Sequence, residues 1–290
     1  MPSLRFDVVD VFTDRPYAGN PLAVVRCEQH EPSAAAMQAI AAEFHLSETV
    51  FTLPPTTPEA DYRVRIFTPA VELPFAGHPS VGAAWVLARD GAIRHGDVVQ
   101  ECGAGLLPVA VDADGARVAG GRPEVGEDLD AALLATAAGL TPDDVDGAAA
   151  PGVASAGVPY AFLLVRPDAV ARAVPDAEAV RAQTADLTGL VVASVSGDAR
   201  QVHLRMFGAG VGVDEDPATG SAAVALGVFL TDRGLLAPDV PSRFTIAQGA
   251  EIGRPSVLDV EVRAEDGRAV ATTVRGGVVP VSRGELTALP

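Results

Sequence analysis

Lysine is absent from this chain of 290 residues, and its 21 strongly basic side chains are all arginine. That absence excludes Schiff-base chemistry of the pyridoxal phosphate or aldolase kind, and the phosphate-gripping lysine of a P-loop. Cysteine is scarce as well. Cys27 and Cys102 are too far apart for a metal knuckle, and two cysteines in a chain of this size make no disulfide framework, so both read as reduced thiols. The histidines, His30, His45, His78, His95 and His203, show no close metal spacing, and no bound metal is expected. No apolar run reaches the roughly 18 residues of a membrane helix. Met1 to Phe6 opens directly into an alternating strand in place of a signal peptide, which predicts a soluble cytoplasmic protein. The formal charge of −17 would repel nucleic acid and anionic membrane surfaces at long range, so neither is expected as a partner. What remains is a small substrate, or one held by local dipoles.

What the chain does contain is an internal repeat. Arg65-Ile66-Phe67 leads into Pro74-Phe75-Ala76-Gly77-His78-Pro79-Ser80 and an apolar run, and Arg205-Met206-Phe207 leads into Pro217-Ala218-Thr219-Gly220-Ser221-Ala222-Ala223. Gly220 follows Gly77 by 143 positions, and the same interval separates Leu87 from Leu230 and Gly91 from Gly234. Two related halves are expected, each with an alternating strand, a loop, and a glycine at the mouth of a helix. The strands put Tyr62, Val64 and Ile66 on one face in the first half, and Val202, Leu204 and Met206 in the second. The helices, Val81 to Ala88 and Ala222 to Leu230, are apolar nearly all round and must be covered on all sides. The economical architecture is α+β: a curved, mostly antiparallel, barrel-like sheet around a central helix, once per half. Turns at Asp112-Ala113-Asp114-Gly115 and Gly120-Gly121-Arg122-Pro123 place the boundary near Gly120. The expected domains are 1–120 and 121–279, with a final strand, 280–290, that can return to the first. The two loops are expected to face one cleft.

Glu48 carries the clearest chemical signal. It lies on a strand-like stretch with Leu46 and Val50 on its own side, and a carboxylate on an apolar face loses solvation, which moves its pKa towards the range of proton exchange near neutrality. The structural alternative is a strand-end glutamate paired with an arginine. Gly77-His78 and Gly220-Ser221 stand at the first turns of the two helices, where free N–H groups and partial positive charge suit a carboxylate ligand. Thr219 and Ser221 also fit plain helix capping. Asp214-Glu215-Asp216 crowds three carboxylates ahead of the second helix. Helix-dipole compensation accounts for some of them, and mutual repulsion would raise at least one pKa towards acid-base work. Gly208-Ala209-Gly210-Val211-Gly212 imitates a dinucleotide fingerprint, but no helix begins inside it. The residues around Ser221 make no Gly-x-Ser-x-Gly elbow.

Taken together, Asp10-Val11-Phe12-Thr13 with Gly19-Asn20-Pro21, Ser47-Glu48-Thr49, Glu72 to Pro79, Glu215 to Ser221, and Gln248-Gly249 with Gly253-Arg254-Pro255-Ser256 resemble the PhzF-like phenazine-biosynthesis family, itself similar in fold to diaminopimelate epimerase. The resemblance implies a cofactor-independent isomerase in secondary metabolism, with Glu48 as the catalytic glutamate that moves a proton in a conjugated cyclic amino acid. It implies supporting roles for His78 and Asp216, and substrate contacts at Asn20, Ser47, Gly77, Thr219, Gly220 and Ser221. It also implies a homodimer. The related epimerases use a cysteine pair, whereas Cys27 and Cys102 lie outside both motifs and Ala76 stands where many relatives carry cysteine. Two further readings stay open: a cofactor-independent epimerase with carboxylates in place of thiols, and a binding protein without turnover.

Overall fold

The computed structural model describes residues 3–28, 31–209 and 213–290, so His30 and the Gly210-Val211-Gly212 part of the glycine-rich run lie outside the described residues. The chain divides into two compact units, Met1–Ala119 with Arg275–Pro290, and Gly120–Val274. Among the described residues no helix is long and apolar enough to cross a membrane.

The first unit contains β1 (Leu4–Val11), β2 (Asn20–Arg26), α1 (Ala34–Phe44), β3 (Glu48–Leu53), β4 (Tyr62–Phe67), β5 (Glu72–Leu73), α2 (Gly77–Arg89), β6 (Gly96–Cys102), β7 (Gly105–Val111) and β8 (Gly115–Ala119). Strand β1 runs antiparallel to β2, β2 parallel to β3, β3 antiparallel to β4, β4 parallel to β6, and β6, β7 and β8 continue antiparallel. In β4 the alternation expected from sequence holds: Tyr62, Val64 and Ile66 are buried while Arg63 and Arg65 are half-buried on the other face. Ser33 accepts a hydrogen bond from the Ala36 N–H at 3.2 Å and caps α1, and His45 ends the helix in a left-handed conformation. The helix packs Met37, Ile40 and Ala41 outside the sheet against Phe51, Leu53 and Phe67. Inside lies α2, buried from Gly77 to Ala88. At Gly82 the strands come so close that a Cβ would lie 2.4 Å from Leu22.

In the second unit the chain forms β9 (Pro123–Asp128), α3 (Ala131–Ala137), β10 (Gly152–Ala156), β11 (Pro159–Leu164), α4 (Pro167–Arg172), α5 (Ala177–Gln183), β12 (Leu190–Val195), β13 (Gln201–Gly208), β14 (Val213–Asp216), α6 (Gly220–Asp232), β15 (Ser242–Gln248), β16 (Ser256–Glu265) and β17 (Arg268–Leu286). From β10 onwards the directions repeat those of the first unit: β10 antiparallel to β11, β11 parallel to β12, β12 antiparallel to β13, β13 parallel to β15, β15 antiparallel to β16. The two barrel-like sheets are thus pseudo-symmetric. Helix α6 is the counterpart of α2, with Phe229 stacked on Phe162 and a Cβ at Gly227 only 2.6 Å from Val262. Outside this sheet, Leu134, Val170 and Val180 of α3, α4 and α5 share a core with Leu163, Leu190 and Phe207.

Asp266 and Gly267, both at positive φ, turn β16 into β17. The far part of β17 belongs to the first unit, where it pairs with β1 from Leu4 opposite Leu286 to Val11 opposite Val278, and with β8, closing that circuit. The return therefore starts at Arg275, earlier than the 280 read from sequence, because Val11 and the Phe12 N–H, which donates to the Gly277 carbonyl at 2.8 Å, need partners there.

The end of α2 is held by charge. Asp90, its C-terminal cap, accepts from Arg89 and from Arg26, each at 2.7 Å. The Arg89 hydrogen bond above all, then Arg26, holds the Asp90 carboxyl down at about 2. An unfolded carboxyl titrates near ~3.9, so the pairing stabilises fully above that pH and fades as pH falls from about 4 to about 2. Asp90→Asn should lower the melting temperature at pH 7, and thermal melts should show the gap to wild type closing across that acid window.

Candidate functional site

In the first unit the parallel register that sets Leu22 beside Glu48 brings the start of β3 next to the start of β2, where Asn20 is wholly buried. The left-handed turn at His45 and the bend at Leu46 and half-buried Ser47 deliver Glu48 to this place. Its Oε2 lies 3.5 Å from Nε2 of His78, the side chains being 18% and 5% exposed. Burial pushes the His78 imidazole down to about 3, so at neutral pH the ring is uncharged and this approach is no ion pair. The ring nitrogen makes no hydrogen bond among the described residues. Gly77 is buried beside it, and Ala76 at the N-cap supplies no side-chain cap, so the first N–H groups of α2 are left for other partners.

Behind this mouth runs a chain of buried polar groups. The Tyr62 hydroxyl donates to Gln100 Oε1 at 3.2 Å, Gln100 Nε2 donates to Ser80 Oγ at 2.9 Å, and Ser80 Oγ donates to the Ala76 carbonyl at 2.9 Å.

The second unit builds its mouth with similar materials. Thr219 is the N-cap of α6, yet its hydroxyl does no capping: it donates to Asp216 Oδ2 at 2.5 Å. Gln248 braces the turn before the helix, its Oε1 accepting from the Thr219 N–H at 3.1 Å while Nε2 donates to the Asp216 carbonyl at 2.7 Å and to Thr219 Oγ1 at 3.0 Å. Because Gln248 donates to the threonine oxygen, the threonine proton is directed onto Asp216. Ser221 is half-buried, with Oγ 2.7 Å from the Tyr160 hydroxyl, and Gly220 is buried. Thr219 and Ser221 are therefore not the ordinary caps that the sequence allowed.

The acidic run also reads differently in the structure. Glu215 is gripped by Arg205 through two hydrogen bonds, at 2.9 and 2.7 Å, Asp216 is buried, and Asp214 faces water. Repulsion among three clustered carboxylates is thus not its organising feature, since one charge is met by a guanidinium and another points away.

Sequence reasoning missed the roles of Gln100 and Gln248. Each is a polar residue in phase with the buried face of an alternating strand, after Val98 in β6 and after Phe244 and Ile246 in β15, and each strand runs parallel to the one that precedes its central helix. That phase was the available signal. Cys27 is buried after β2, where burial pushes it up to about 12, and Cys102 ends β6 beside Gln100, raised by the same cause. Among the described residues no three His, Cys, Asp or Glu side chains converge as a metal-ligand group.

The family model for phenazine biosynthesis-like protein matches residues 9–284. An uncharacterised isomerase of Mesorhizobium japonicum is 38% identical, spanning 99% of each chain. Trans-2,3-dihydro-3-hydroxyanthranilate isomerase of Pseudomonas aeruginosa is 35% identical, over 97% of this chain and 98% of that one. The crystal structure of a Bacillus anthracis phenazine biosynthesis protein of the PhzF family superposes with a TM-score of 0.87 over 99% of this chain and all of that one; at 24% identity it supports the fold alone.

Two expectations follow from these mouths. Because the folded chain keeps His78 neutral down to about 3 while an unfolded histidine takes a proton near ~6.5, His78 costs stability as pH falls between those values. Its ring resonances should not move between about pH 8 and 5, and His78→Gln should flatten the acid decline of the melting temperature. Gln248→Met strands the Thr219 N–H, so urea unfolding should show a loss of about 1–3 kcal/mol.

Proposed function

This chain belongs to the phenazine biosynthesis-like protein family, and from that premise we propose that it is a cofactor-independent isomerase, one that moves a proton and shifts a double bond in a small unsaturated, amino-acid-like carboxylate. Relatives spanning nearly the whole chain carry isomerase names, which supports the reaction class. The observation that carries the reading is the approach of Glu48 to His78, a carboxylate sheltered from water against a ring that burial keeps uncharged.

Glu48 takes a proton from one carbon of the substrate. The C–H electron pair becomes a new double bond, the old double bond's pair opens at the far carbon, and the Glu48 carboxyl returns the proton there. The imidazole of His78, neutral, offers a hydrogen bond at Nε2 without adding a charge that would have to be compensated as the proton moves. In the first unit Asn20, Ser47 and Gly77 are assigned to ligand contact. In the second, the N–H groups at Gly220 and the Ser221 hydroxyl suit an anionic or hydroxyl group, and Asp216, oriented by Thr219, is assigned an assisting role in proton transfer.

Trans-2,3-dihydro-3-hydroxyanthranilate, the substrate named for one relative, is the first compound to test. Glu48→Gln should leave folding intact and lower turnover by roughly 10²–10⁴. Turnover in heavy water should place deuterium at the newly saturated carbon, in part only, because a shielded carboxyl can return the proton it removed. Full activity of Glu48→Gln would remove Glu48 from the mechanism. Interconversion of stereoisomers with no double-bond shift would favour an epimerase, and binding with no label in the ligand would leave a binding protein.

A further inference from the structure

The Arg-x-Phe triplets that open the two repeat units take no part in this chemistry, yet both are put to the same use. In the first unit Phe67 of β4 stands opposite Glu72 of β5, so Arg65, two residues back on the same face, reaches Glu72 across the diagonal. Its Nε and Nη2 each donate to a Glu72 oxygen at 2.7 Å, and the guanidinium lies 5.4 Å from the centre of the Phe67 ring. In the second unit Met206 stands opposite Asp216, which brings Glu215 to Arg205. Nε and Nη2 donate to the Glu215 carboxylate at 2.9 and 2.7 Å, and the guanidinium lies 5.0 Å from the Phe207 ring. The two-pronged guanidinium–carboxylate contact is the most directional ion pair a protein has.

Each glutamate stands five residues before the glycine that opens its central helix. Neither helix has a side-chain cap from its own N-cap residue, so local capping does not hold these loops. We propose that the two arginine–glutamate clasps are positioning devices for the helix mouths, Arg65–Glu72 setting where His78 stands against Glu48 and Arg205–Glu215 setting where Asp216 stands against Thr219. This rests on the reading of His78, Glu48 and Asp216 as site residues.

Burial separates the two clasps. Arg205 and Glu215 are 8% and 11% exposed, and Arg205 Nη1 also donates to the carbonyls of Val170 and Ala173 around the end of α4, at 3.2 and 2.7 Å, tying the outer helical layer to the loop. Cutting that clasp would leave a buried charge alone. Arg65 and Glu72 are 23% and 40% exposed. A pair so open to water adds little to stability. Geometry is its contribution: His78 stands six residues after Glu72, and its Nε2 approaches Glu48 Oε2 at 3.5 Å without a hydrogen bond, so a shift of the loop changes that approach directly.

The first clasp can therefore be cut without unfolding the protein. In the full chain, Arg65→Met should speed amide deuterium exchange in segment 74–80 roughly tenfold, leave α1 and the β6–β7 hairpin as they are, and move the melting temperature little. With trans-2,3-dihydro-3-hydroxyanthranilate, kcat should fall by up to roughly 10²-fold, the cost of a misplacement near 1 Å, with KM less affected. Arg65→Lys keeps the charge and loses the fork, and should side with Arg65→Met. The charge swap Arg65→Glu with Glu72→Arg should restore slow exchange. Unchanged exchange in 74–80, or exchange raised uniformly through the unit, overturns the proposal whatever the turnover. Faster local exchange in a protein whose wild type does not turn the compound over keeps the clasp and removes only this compound as the substrate.

Discussion

A helix with no polar face has to be covered on every side, and in both units that demand governs what the rest of the chain can do. Helix α2 is buried along its length to Ala88, and α6 is buried from Ala222 to Thr231. Each fully buried Leu, Val or Phe contributes about 1.5–3 kcal/mol, so the covering sheet is stabilised by the object it surrounds. A sheet can cover flanks but not the first turn. Strand N–H and C=O groups are used by their own ladders, and the free N–H groups at a helix start need other partners. Polar residues also gather at the mouths, Ser80 and Gln100 in one unit, Thr219 and Gln248 in the other, and bond chiefly to one another and to nearby carbonyls. The polar site is the complement of the apolar helix.

The same constraint explains what could be read from the sequence. An all-round apolar helix after an alternating strand is a pattern in residue types, so the repeat, the two central helices and the inward faces of β4 and β13 were legible. What was not legible depends on register. Arg205 meets Glu215 only because β13 and β14 fold back with Met206 opposite Asp216, and no spacing rule announces that a four-residue strand will form there. The direction of the Thr219 hydroxyl is similar: threonine before a helix normally caps it, and only the arrival of Gln248 from a strand 29 residues away frees the hydroxyl for Asp216. The start of the returning strand was set by partners on β1 and β8 that lie far away in sequence.

Charge completes the argument. The chain is strongly acidic, and its arginines are largely engaged with carboxylates: Arg26 with Asp90, Arg89 with Asp7, Arg65 with Glu72, Arg205 with Glu215. At the mouths, by contrast, the partners of Glu48 and Asp216 described above are neutral, an imidazole and a hydroxyl, with two carboxamides behind them. For an anionic substrate these suffice, because dipoles fixed in a sheltered place act more strongly than the same dipoles in water. For the proton transfer proposed here, neutrality has a further consequence. A guanidinium in the place of His78 would hold a neighbouring carboxylate ionised and oppose its taking up a proton, whereas an uncharged ring adds no such charge. A residue that must accept a proton from one carbon and give it to another needs both forms, and the burial that strips His78 of its charge is imposed by the same apolar helix that the sheet was built to cover.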